Sequence, residues 1–255
     1  MTLQQIDDLQ GEGDALFDFL RNLSDDDWDR PTPFKEWTPR KILRHLHDGD
    51  EMAIVAIKRP DEFQVFLAER RQGPLRSLPE KGAELLDLWK GYFDEMCQAM
   101  DQFDPKRRVP WVGPDMSLRM MATARQMETW AHGQDIYDLT GVVRSNTDRL
   151  RNIAEIGVRT FGWTFVNRKM AVPGAPPWVE LTTPTGGTWT WGEPEAENSI
   201  TGSAVDFCHV VTQGRNIAEV DLNVTGDVAA QWMAIAQCFA GPPEDPPAVG
   251  VRTGG

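Results

Sequence analysis

Cysteine is scarce in this chain. The 255 residues hold three, Cys97, Cys208 and Cys238, widely spaced and with no Cys-x-x-Cys. That removes thiolate-rich zinc motifs from consideration and fits reduced thiols in a cytosol. Histidine is nearly as scarce, at four: His45, His47, His132 and His209. Any imidazole-based metal or acid–base site must draw on that short set. Positive charge is in deficit, with 26 Lys and Arg against 39 Asp and Glu, a net −13 at pH 7. Such a surface repels polyphosphate and anionic bilayers, so neither nucleic acid nor a membrane is expected as a partner. No run approaches the ~18 apolar residues that would span a bilayer. The N-terminal MTLQQIDDLQGEGDAL is polar and acidic, unlike a secretory signal. Gly-rich phosphate loops, GxSxG elbows and Cys/His dyads are also missing. The expectation is a cytoplasmic globular protein.

What is present is helical periodicity. Leu3, Ile6, Leu9, Leu16, Phe19 and Leu20 predict a helix over 3–22. After the proline-rich RPTPFKEWTP, Thr38 followed by Pro39 predicts a capped helix start, with the helix running to about Lys58. The stretch 60–78 reads as irregular with a short helix, and 80–103 as a third long helix. Ser117 can cap a fourth, ending near Gly141. Four long helices in about 140 residues predict an antiparallel bundle. A fifth helix is expected from Thr147 to about Arg168. The texture then changes. WVELTTPTGGTWTWG alternates around a PTGG turn, a β-hairpin pattern. GSAVDFCHVVTQG reads as a short helix, DLNVTGD as a strand, and Asp227 as the cap of a last helix. The domain expectation is a bundle over 1–145, a linking helix plus small α+β domain over 146–241, and a disordered tail over 242–255.

Two apolar helix faces carry groups that do not belong in a core. On the fourth helix the face reads Met121, Ala124, Glu128, Ala131, His132, Asp135, Leu139. Glu128 and His132 sit one turn apart inside it. On the second helix His45 joins Ile42, Leu46, Gly49, Ala53 and Ala56, while His47 points elsewhere. Alone, a Glu/His pair four apart is commonly a surface pair, and a single apolar-face His is commonly a satisfied core residue. Together they pose an energetic problem, because burying an unpaired carboxylate costs several kcal/mol. A divalent cation resolves it. Two His and one Glu with a position left open is the catalytic zinc pattern, and nickel, iron or cobalt suit the same ligands. Asp135 or Asp48 could orient a ligating imidazole. Trp37, Trp130, Trp163 and Trp232 read as core or pocket wall.

EWTPRKILRHL, with Trp37 eight residues before His45, resembles the second-helix signature of DinB-like bundle proteins, in particular the mycothiol-dependent maleylpyruvate isomerase branch. METWAHGQDIYDLTG is similar to the matching fourth-helix signature. ITGSAVDFCHVVTQGR and VTGDVAAQW resemble the small α+β (SCP2-like) domain attached in that branch. The resemblance implies a mainly α fold, a DinB-like four-helix bundle followed by that domain. It implies a divalent metal, zinc first, on His45, Glu128 and His132. It also implies a low-molecular-weight thiol, mycothiol or bacillithiol, activated for attack on a small electrophile. The branch relies on an arginine in its C-terminal domain, for which Arg215 is the catalytic candidate; Arg44 and Arg125 are others that could bind a substrate carboxylate. The expected activity is a thiol-dependent isomerase or S-transferase. A metal-activated-water hydrolase or lyase, and a non-catalytic metal-binding stress or interaction protein, stay open as alternatives, as does a homodimer.

Overall fold

The computed structural model describes residues 3–73, 77–194 and 197–252. The chain divides into two compact units, Met1–Ile136 and Tyr137–Gly255. The division falls inside the fourth long helix rather than after it, as the sequence had suggested.

The first unit is helical: α1 (Gln4–Leu20), α2 (Pro39–Lys58), α3 (Phe63–Arg70), α4 (Gly82–Asp101) and α5 (Leu118–Thr140), the last running on into the second unit. Between α4 and α5 a two-residue antiparallel pair, β1 (Arg108–Val109) and β2 (Met116–Ser117), makes a small hairpin that periodicity had not revealed. The caps follow local chemistry. Thr38 Oγ1 accepts from the Lys41 amide with Pro39 in the first turn, so α2 begins where the Thr-Pro step requires. Ser117 Oγ accepts from the Met120 amide at the start of α5, and Gly141 ends it at φ 71°. Leu9, Leu16 and Leu20 of α1, Ile42, Leu43 and Leu46 of α2, Leu85, Trp89 and Phe93 of α4, and Leu118, Met121 and Ala122 of α5 share one core. Each Leu, Ile, Phe or Met among them contributes about 1.5–3 kcal/mol relative to exposure.

The second unit carries α6 (Arg151–Arg159), α7 (Phe161–Asn167), α8 (Ala204–Val211) and α9 (Asp227–Ile235). The single helix expected over 147–168 is broken: a 3-10 turn at Asp148–Leu150 precedes α6, and Thr160 separates α6 from α7. Thr160 Oγ1 donates to the carbonyls of Ile156 and Gly157, a side-chain competitor for backbone partners. Four strands, β3 (Trp178–Thr182), β4 (Thr188–Trp191), β5 (Ser199–Ser203) and β6 (Leu222–Thr225), form a sheet in the order β4-β3-β5-β6. The hairpin β3–β4 is antiparallel, β5 lies parallel to β3, and β6 is antiparallel to β5. Strand β5 went unread in the sequence because SITGS has little apolar alternation. Asp227 is the first residue of α9 and not its cap; the Asn198 carboxamide oxygen accepts the Val228 and Ala229 amides instead.

The tail expected to be disordered is irregular but tied down over its described part, 242–252. Gln213 Nε2 donates to Glu244 O and Asn216 Nδ2 to Pro247 O, both at 2.8 Å, and Arg252 is buried. Residues 253–255 lie outside the described residues. Among the described residues no helix is long and apolar enough to cross a membrane.

Candidate metal centre

The second turn of α2 delivers His45, and the middle of α5 delivers Glu128 and His132. His45 Nε2 stands 3.2 Å from Glu128 Oε2, and His132 Nε2 stands 3.5 Å from that same oxygen. One ligand-type atom from each of the three lies within 4.8 Å of the others. The imidazole centroids of His45 and His132 are 4.8 Å apart. His132 is the most enclosed side chain at 14% exposure, and His45 the most open at 41%, so solvent reaches the cluster from the α2 side.

The electrostatics follow from this crowding. Burial opposes the Glu128 charge, but hydrogen bonds from His132 and His45 outweigh it and hold the carboxyl well below the usual range. Burial likewise opposes a charged His132, yet Asp135 and Glu128 raise it from its ordinary 6.5 to about 9. Asp135 Oδ2 lies 3.2 Å from His132 Nδ1. That contact directs Nε2 of the same ring toward Glu128, the task a carboxylate performs behind a ligating imidazole.

An aromatic wall backs the cluster. Trp37 stacks on His132 at 5.8 Å with 16° between planes, and meets His45 edge-on at 5.4 Å. Phe34 stands edge-on to His132 at 5.0 Å. The loop that presents both is strained: Lys35 and Glu36 take φ of 50° and 55°, left-handed conformations that side-chain-bearing residues avoid. Thr32 N donates to Trp37 O and Trp37 N to Phe34 O, closing the turn. Trp37 was legible as a wall. Phe34 was not, and its only signal was a second aromatic three residues before Trp37 in a proline-flanked loop.

The other candidates go elsewhere. His47 is buried against Tyr92, with ring centroids 4.6 Å apart. Its neighbour Asp48 does not support His45; it pairs with Arg70 at 2.6 Å. Arg70 also reaches Glu51 at 2.9 Å. His47, Asp48 and Glu51 form a second cluster of ligand-type atoms, but a guanidinium already supplies positive charge between its carboxylates. Arg44 reaches Pro79 O and Glu80. Arg125 is buried and bonded to Asp50. Arg215 lies in the second unit, where its Nη1 and Nη2 donate to the two oxygens of Asp138 at 2.8 and 2.7 Å. Trp163, expected inside, is 41% exposed.

A helical bundle continued by a small α+β unit is the class that this architecture defines. Within it, the chain belongs to the family described as the mycothiol maleylpyruvate isomerase N-terminal domain, whose model matches residues 9–137, about half of the chain. Two uncharacterized proteins of Mycobacterium tuberculosis, from strains CDC 1551 and H37Rv, are each 39% identical to it over 244 residues, covering 92% of this chain and 95% of theirs. A crystal structure of the mycothiol-dependent maleylpyruvate isomerase matches with a TM-score of 0.51 at 13% identity, over 81% of this chain and 87% of that one. A histidine-to-alanine mutant of that enzyme gives 0.50 at 15% identity, with the same coverage. At such identities the likeness shows the fold alone.

Proposed function

We propose that this chain is a divalent-metal enzyme that uses a mycothiol-type thiol to isomerise a small electrophilic substrate, or that adds the thiolate to it as an S-transferase. The observation that carries the reading is the meeting of His45, Glu128 and His132. Their chemistry fits a cation. Two ligand atoms each about 2.0–2.1 Å from a tetrahedral zinc stand roughly 3.4 Å apart. The two nitrogen–oxygen separations here are 3.2 and 3.5 Å. Zinc suits this donor set best, and nickel or iron also suit it.

When bound, such a cation lowers the pKa of a coordinated thiol or water, so that a nucleophile exists near neutral pH. The chain's own residues do the rest. Glu128 brings the negative charge. Asp135 fixes the His132 ring. Trp37 and Phe34 shield that ring and leave the His45 side open for a thiol and a substrate. Membership of a mycothiol isomerase family and the mycothiol dependence of the solved relative support a thiol over water as co-reactant. In this reading Arg215 is structural, because Asp138 already occupies its planar fork.

Elemental analysis of the purified wild type against His45→Ala and His132→Ala tests the site. One equivalent of metal in the wild type and a loss in both variants is expected; equal metal content in all three removes the assignment. Thermal denaturation of the metal-loaded protein with and without mycothiol tests the thiol. A rise in melting temperature is expected, and no change counts against it.

A further inference from the structure

Asp50 and Arg125 are buried charges that the candidate centre does not use as ligands. Asp50 is fully buried and Arg125 is 4% exposed. Such a pair needs a reason, because apolar side chains of equal volume often give the same stability or more. Its bonds indicate one. Arg125 Nε donates to Asp50 Oδ1 at 3.0 Å and Nη2 to the Leu46 carbonyl at 3.1 Å. Trp89 Nε1 of α4 donates to Asp50 Oδ2 at 3.0 Å. A single junction thus joins α2, α4 and α5. Gly49 provides the room, since a Cβ there would stand 2.5 Å from Arg125 Nη1.

The junction adjoins the centre on both helices. Leu46, whose carbonyl Arg125 holds, directly follows His45. Arg125 precedes Glu128 by three residues and His132 by seven, so the three share a face of α5. Sliding or rotating α5 against α2 by even part of a turn would separate His45 Nε2 from Glu128 Oε2. A planar guanidinium with fixed donor directions resists that motion in a way that apolar packing does not.

We propose that Asp50 and Arg125 are positioning residues: an ion-pair strut, seated on Gly49 and anchored by Trp89, that sets α2 against α5 so that His45, Glu128 and His132 converge. The cation-binding part of this inference rests on the proposed metal centre; the geometric part does not.

The test is the double variant Asp50→Leu/Arg125→Met, which removes both charges and leaves neither uncompensated. Its thermal transition is expected to stay cooperative, lowered by the loss of the acceptor for Trp89 Nε1, while its zinc affinity falls at least about tenfold. In metal-free protein, the ring ¹⁵N resonances of His45 and His132 should shift away from their wild-type positions. Arg125→Lys, which keeps the charge without the planar fork, should lose zinc affinity also. Gly49→Ala is the milder variant should the double one fail to fold; it displaces the guanidinium and removes no polar group. It too should weaken zinc binding and move the ring resonances. Wild-type zinc affinity together with unmoved ring resonances, in whichever of these variants folds, overturns the strut. A wild type that binds no zinc removes the metal reading, and the ring resonances then decide the strut by themselves.

Discussion

His45 Nε2 and Glu128 Oε2 meet at 3.2 Å across 83 residues of sequence. Neither residue has a local reason to face the other. His45 follows from the start of α2 at the Thr38 cap, and Glu128 from the register of α5 after Ser117. The contact is therefore a product of helix starts and of how α2 and α5 are held, which is why its consequences can be tested at sites distant from it.

Zinc affinity should rise with pH until about pH 9. His132 has its pKa raised to about 9, despite burial, by Asp135 and Glu128. Below that pH a cation must displace the His132 proton, so the dissociation constant should fall about tenfold per pH unit. Glu128 stays ionised throughout and adds no dependence of its own. The metal-free protein should behave oppositely. Stabilisation by the charged imidazole is full below 6.5 and is lost as pH rises through about 9. Competition titration against a chelator of known affinity, from pH 6 to 9, reads the first trend. A flat profile would show that His132 does not bind the metal.

Asp135→Asn should weaken zinc binding by about 10–100-fold while leaving the fold intact. The carboxylate contacts the imidazole nitrogen facing away from Glu128, so its loss frees the ring to rotate and lowers its basicity. The same substitution should bring the His132 pKa in metal-free protein down toward 6.5, read by histidine ring NMR. An unchanged pKa would mean that Asp135 does not govern the ring.

Much of this was legible from spacing. His45, Glu128 and His132 stood out because each interrupts an apolar stripe at helical period, and periodicity is the strongest signal a single sequence carries. The bundle helices were legible for the same reason, with their caps at Thr38 and Ser117. What escaped notice depended on contacts between distant residues. Asn198 caps α9 from 29 residues away and leaves no local trace. Arg125 and Asp50 look like surface charges until α2 and α5 are brought together. The strain at Lys35 and Glu36 is invisible because neither residue type announces a left-handed backbone. The irregular 242–252 segment has a Pro-rich composition that suggests disorder, yet its carbonyls find partners in Gln213 and Asn216.

Gly13→Ala should destabilise the first unit by about 1–3 kcal/mol. Gly13 lets α1 approach α4 so closely that a Cβ would stand 2.2 Å from Phe93 Cε1. Phe93 is fully buried and cannot swing aside without opening the core. Urea denaturation should show a lower midpoint with an unchanged slope. A midpoint equal to wild type would mean that the helices separate at little cost.

His209 should make the protein acid-sensitive from the second unit. It is buried at 8% exposure, and its carbonyl accepts the amides of Gly214 and Arg215. Burial first, then the charges of Arg215 and Arg144, push its pKa from 6.5 down to about 3. The unfolded chain takes up a proton at this residue near 6.5, and the folded chain does so only near 3. Its contribution is therefore complete above 6.5 and declines as pH falls toward 3, by up to about 1.4 kcal/mol per pH unit. His209→Gln removes the titrating group at similar size. Urea denaturation of both proteins at pH 7.0, 5.5 and 4.5 separates His209 from the many carboxylates that titrate in the same range, because those are common to both. Wild type should lose more stability than the variant over that interval. Equal losses would mean that His209 reaches its proton in the folded state as easily as in the unfolded one.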